Sequence, residues 1–115
     1  MLLSNLKSRL SAATAITEVA AKVALAHFRN SPAIETKADQ SPVTIADTQT
    51  EQTIRDGLRQ AFPDDGIFGE EYGRSGDGTN MWIIDPIDGT RSFITGVPLF
   101  GMLLGFVNGD GPQLG

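Results

Sequence analysis

The chain has 115 residues, 40% hydrophobic and 20% charged, enough for one small domain with its own core. Its net charge of −5 argues against nucleic acid as a partner, and the lack of cysteine excludes disulfides and thiolate metal sites. No apolar run approaches the ~20 residues of a membrane span. Ser4, Asn5, Lys7, Ser8 and Arg9 interrupt the N-terminus where a signal peptide needs an apolar core, so a cytoplasmic protein without membrane contact is expected.

Leu6, Leu10, Ala13, Thr17, Ala20, Ala24 and Phe28 recur at three- and four-residue spacing and predict one alanine-rich amphipathic helix over about 4–29. "NSPAI" stops it, because the residue before Pro32 disfavours helix. His27 reads as a polar tip near the helix C-terminus rather than a ligand. "IETKADQSPVTIAD" is polar and irregular and reads as a loop. In the second helix, Thr44 and Asp47 resemble a capping box, Ile54, Leu58 and Ala61/Phe62 form the buried stripe, and Pro63 closes it. "PDDG" is a turn, "IFGEE" a short strand ending in carboxylates, and "YGRSGDGTN" a glycine-rich loop. "MWIID" is a second strand. "GTRSFITG" predicts a short helix from about Thr90, with Gly96 as its stop. "LFGMLLGFVNG" is a third strand, apolar enough to be buried on both faces. "VNGDG" signals a hairpin turn and "PQLG" the start of a returning strand. Two helices followed by strands indicate a layered α+β domain. The expectation is that residues 1–115 form the N-terminal part of a larger fold, or meet their missing strands in a partner.

Charge is concentrated rather than spread. Residues 64–88 contain seven acids and one base, Arg74. Some of that is consistent with a solvated loop, but Glu70, Glu71, Asp85 and Asp88 directly follow apolar stretches. Asp85 and Asp88 are three apart, whereas residues on one face of a regular strand are two apart. Pro86 keeps Asp85 extended and then bends the path, so both carboxylates can converge past the strand end. Two carboxylates that close repel unless a proton or cation intervenes. Hard oxygen donors favour Mg²⁺ or a similar ion, with Glu70 or Glu71 as a third ligand. Gly89 lets backbone approach a ligand, and the amides of Gly89 and Thr90 can cradle phosphate oxygens. Metal beside an anion site points to phosphate-ester hydrolysis.

"SPVTIAD" at 41–47, "GEE" at 69–71 and "WIIDPIDGTRSF" at 82–93 together resemble the inositol monophosphatase superfamily, magnesium-dependent and lithium-sensitive phosphomonoesterases. The resemblance implies a layered α/β sandwich of the sugar-phosphatase type, present here as the N-terminal helices and part of the sheet. It implies Glu70, Asp85, Asp88 and the carbonyl of Ile87 as Mg²⁺ ligands. It also implies Asp47 and Thr90 as the pair orienting the metal-activated water, with Glu71 as a supporting carboxylate. The backbone of Asp88, Gly89 and Thr90 would hold the phosphate. Lys37 and Asp39 resemble the family's first loop, which approaches the site. "DPIDGTRSFITG" looks most like the histidinol-phosphate phosphatase branch, in which Arg91 would contact substrate; a plain surface salt bridge is the competing role. A small phosphorylated substrate, histidinol phosphate or one like inositol monophosphate, and a homodimer are expected. The family's later "WD…A…G" block, which completes the second metal site, is absent.

Three other readings compete. Haloacid-dehalogenase-like phosphatases use D-x-D-G-T, one residue shorter than the D-x-x-D-G-T found here. An EF-hand pattern does not occur in the acidic window. The third reading is a truncated, non-catalytic remnant that binds metal or self-associates through its orphan strand.

Overall fold

The computed structural model describes residues 3–27, 34–36, 42–76, 78–89 and 101–115, with backbone only for 34–36 and 42–44. Helix α1 spans Leu3–His27 and α2 spans Ile45–Ala61. Strands β1 (Ile34–Thr36) and β2 (Pro42–Thr44) pair as a small antiparallel ribbon. That ribbon corrects the expected loop: Thr36 and Thr44 frame β-compatible residues whose short extent escapes a periodicity test. The capping side chain of Thr44, the loop residues Lys37 and Asp39, and the expected helix from Thr90 to Gly96 all lie outside the described residues.

The main sheet is built from β3 (Gly66–Gly69), β4 (Gly73–Ser75), β5 (Met81–Asp88), β6 (Gly101–Asn108) and β7 (Gly111–Leu114). Their order is β4-β3-β5-β6-β7, and only β3 and β5 run parallel. Strand β4 corrects another expected loop, because Gly73, Arg74 and Ser75 fold back onto Gly69, Phe68 and Ile67. The hairpin expected at "VNGDG" is present, and β7 returns beside β6.

The helices cover one sheet face. Ala20, Ile54, Leu58, Ile67, Trp82, Ile84 and Phe106 form the core between them. A smaller cluster of Ala24, Ala46 and Ile87 seals the end where α2 begins and β5 finishes. On the opposite face Phe68, Ile83 and Leu103 are exposed. Strand β6 is therefore not covered on both faces as expected: Phe106 is its one fully buried residue, since the two helices reach only one side. Leu10, expected on the buried stripe of α1, is half exposed because that helix contributes a narrow line of contact through Leu6, Ala13, Ile16 and Ala20.

One polar device clamps this core. The Arg9 guanidinium donates to both carboxylate oxygens of Asp65 at 3.0–3.2 Å, and Trp82 Nε1–H donates to the same carboxylate at 3.0 Å. Arg9 lies 4.8 Å from the ring centroids of both Phe62 and Phe106; Phe62 stacks on Trp82 at 5.8 Å, and Phe106 packs against it tilted, at 4.9 Å. The pair joins α1, the α2–β3 turn and the sheet, and a buried charge that loses its partner is costly. Asp65→Ala strands the Arg9 charge and the indole N–H together. It is expected to destabilise the fold by about 3 kcal/mol in urea unfolding, within the range for breaking a buried pair. Arg9→Met, which keeps the apolar stem and leaves Asp65 its indole donor, is expected to cost clearly less.

Candidate active site

The site begins with the parallel pairing of β3 and β5. Their register places Gly69 beside Ile84, and Glu70 N–H donates to the Ile84 carbonyl at 3.3 Å. Parallel strands end at the same edge, so the residues that follow this pair, Glu70 and Asp85, emerge side by side. Their side chains share a hydrogen bond. Two acids separated by fifteen positions are thereby brought to one edge by the direction and register of the paired strands.

Strand β5 does not stop at Asp85, as "MWIID" suggests, but continues to Asp88. Against β6, Asp85 lies opposite Leu103 and Asp88 opposite Gly101, with a register shift between. Three steps on β5 match two on β6, a bulge of one extra residue. The buried Pro86, which lacks an N–H for the ladder, occupies that bulge. The bulge resets the alternation, so Asp85 and Asp88 share a face despite their spacing. Gly89 follows with φ of 87°, a conformation that strains any residue with a Cβ.

Asp47 joins from α2. It stands in the first helical turn and is 1% exposed. Burial pushes the Asp85 carboxyl from 3.8 up to about 7, helped by the hydrogen bond and charge of Glu70 and by the charges of Asp88 and Asp47. Asp85 Oδ1 is buried with no hydrogen-bond partner among the described residues. An all-oxygen donor set, a sequestered oxygen lacking a donor and mutually repelling acids fit a hard divalent cation, which would relieve each. Among the described residues, no three acids or imidazoles stand close enough together to enclose an ion. Glu70 and Asp85 are paired, while Asp88 and Asp47 act on Asp85 through their charge.

The remaining expected site residues divide clearly. The Ile87 side chain packs on Ala24 and Ala46, with its main chain inside the bulge. Glu71 is half-buried, and its N–H is held by Glu51. Thr90 and Arg91 lie outside the described residues. Sequence reading missed Glu51 and Arg55. Both are buried on α2 and paired at 2.9 Å. The available signal was an i,i+4 acid–base pair facing inward beside Ile54, but such pairs ordinarily read as solvated.

A sequence profile described as the inositol monophosphatase family matches residues 5–115. The chain belongs to the inositol monophosphatase family. It is 49% identical over 109 residues to a histidinol-phosphatase of Chlorobaculum parvum, covering 92% of this chain and 42% of that protein. It is 39% identical over 104 residues to a chloroplastic bifunctional phosphatase of Arabidopsis thaliana, covering 88% and 30%. The structure superposes on the IMPase of Thermotoga maritima with a TM-score of 0.80 at 32% identity, covering 91% of this chain and 41% of that one. The chain thus spans about two fifths of the length of these bacterial family members. The family and its α+β fold agree with the sequence reading.

The raised Asp85 carboxyl gives a signed pH dependence. Between about 4 and 7 the folded chain binds the Asp85 proton while the unfolded chain releases it, so stability falls as pH rises through that window. In EDTA, the urea midpoint is expected to fall from pH 5 to pH 7.5, and Asp85→Asn to flatten that decline.

Proposed function

We propose that residues 1–115 are the metal- and phosphate-binding part of a Mg²⁺-dependent phosphomonoesterase acting on histidinol phosphate or a similar small phosphate ester. The observation that carries the reading is the set of acids around Asp85: Glu70 bonded to it, and Asp88 and Asp47 within electrostatic reach. Family membership supports phosphoester chemistry, and the histidinol-phosphatase of Chlorobaculum parvum, at 49% identity, supports the substrate class.

In this proposal Glu70, Asp85, Asp88 and the main chain of Ile87 would hold Mg²⁺. The bound ion supplies Lewis-acid charge at the phosphoryl group and eases deprotonation of water. Asp47, fixed at a helix start, and Thr90 together orient the attacking water. Glu71 supports the ligand carboxylates. The backbone of Asp88, Gly89 and Thr90 binds the phosphate, and Arg91 meets the rest of the substrate. A homodimer in the cytoplasm completes the proposal. No helix among the described residues is long and apolar enough to cross a membrane.

Calorimetric titration with Mg²⁺ is expected to show binding that Asp85→Asn abolishes. Unchanged affinity would remove Asp85 as a ligand. Phosphate release from histidinol phosphate, measured with and without lithium, tests the chemistry. Mg²⁺ binding without turnover would favour the non-catalytic alternative.

A further inference from the structure

We propose that Glu51, braced by Arg55, is the positioning residue that aims Glu70 at Asp85. The inference rests on the proposed function, because it concerns how the chain presents its metal ligands.

Glu70 stands at the start of a tight connection between β3 and β4, and such a segment normally has freedom to pivot. Here α2 reaches in and fixes it. The Glu51 side chain is fully buried, and its two oxygens accept the N–H groups of Glu71 and Tyr72, each at 2.9 Å. Arg55 Nε donates to the same carboxylate at 2.9 Å. Its other nitrogens reach the Gly73 carbonyl and, at 3.4 Å, Ser75 Oγ. One ion pair therefore engages Glu71, Tyr72, Gly73 and Ser75, four of the five residues that follow Glu70. The arrangement has a steric signature. A Cβ at Gly69 would overlap all three atoms of the Glu51 carboxylate, although Gly69 is not in a left-handed conformation. Glycine is needed there so that the carboxylate can approach the backbone.

Glu51 is too enclosed to act as a ligand itself, since both oxygens are occupied by three donors. Its effect passes through the two amides. With Glu70 N–H pinned to Ile84 on one side and Glu71 N–H to Glu51 on the other, the peptides flanking the Glu70 Cα are fixed. The direction of its side chain toward Asp85 follows. Partners that orient ligands typically change metal affinity by about 10–100-fold when removed.

The test is calorimetric Mg²⁺ affinity of the whole chain, measured well below each variant's Tm, for wild type, Glu51→Gln, Gly69→Ala, Asp85→Asn and Leu58→Val. Glu51→Gln replaces one acceptor oxygen with a donor facing donors. It is expected to raise Kd about 10-fold or more and to move the Glu71 and Tyr72 amide resonances upfield. Gly69→Ala removes no charge, displaces the same carboxylate, and carries the test if Glu51→Gln does not fold; it is expected to raise Kd similarly. Leu58→Val disturbs the core farther along α2 and is expected to lower Tm while leaving Kd within about twofold, as suits a site away from the ligands. Unchanged Kd in Glu51→Gln and Gly69→Ala, with Asp85→Asn still defective, would overturn this inference alone. An equal loss in Leu58→Val would reduce Glu51 to a general stabilising role and also overturn it. A wild-type chain that binds no Mg²⁺ would overturn the proposed function and this inference together.

Discussion

Parallel pairing of β3 and β5 is the constraint on which the site depends. An antiparallel arrangement would send the ends of the two strands to opposite edges and separate Glu70 from Asp85 by the length of the sheet. The register, with Gly69 beside Ile84, makes the acids neighbours, and the bond from Glu70 N–H to the Ile84 carbonyl holds that register one residue beyond the strand. The core is arranged to support it. Trp82 and Ile84 on β5 and Ile67 on β3 bury their side chains against Ile54 and Leu58 of α2, so hydrophobic packing and carboxylate placement are two faces of the same strands.

The acids come together at an electrostatic cost. Asp85 keeps its proton to about 7 because it is partly removed from water and surrounded by Glu70, Asp88 and Asp47. Such an arrangement lowers the stability of the bare chain at neutral pH and creates a demand for positive charge. The rest of the fold meets its buried charges differently. Asp65 has Arg9, and Glu51 has Arg55. Both of those acids carry an internal cation, while Asp85 faces other carboxylates. This contrast within one small domain separates the scaffold's ionic pairs from the candidate active site.

Much of this was legible in the residues. Apolar runs ending in acids gave β3 and the start of β5, and Ile54 and Leu58 gave the buried side of α2. The three blocks around Asp47, Glu70 and Asp85–Asp88 gave the family. What escaped was anything decided by tertiary context. Glu51 and Arg55 have the spacing of a surface ion pair, and only the folded turn from Gly69 to Ser75 turns that spacing inward. Strand β4 is three residues beginning with glycine, too short for periodicity to detect. Strand β6 is mostly apolar, which suggests two covered faces, whereas the helices supply one. The spacing of Asp85 and Asp88 set a puzzle that counting could only partly solve. Sequence suggested a bend at Pro86, and the structure adds a register shift that lets the strand continue to Asp88.

That extra residue in β5 has an evolutionary corollary. Losing one residue between the two aspartates would remove the bulge and leave them two apart on a regular strand, still on one face, but with a single inward position where Pro86 and Ile87 are now both buried, so the packing of Ile87 against Ala24 and Ala46 would be disturbed. Aliphatic exchange at Ile87 conserves the count, and an indel does not. This stretch should therefore drift in chemistry while remaining rigid in length, the opposite of what a surface connection tolerates.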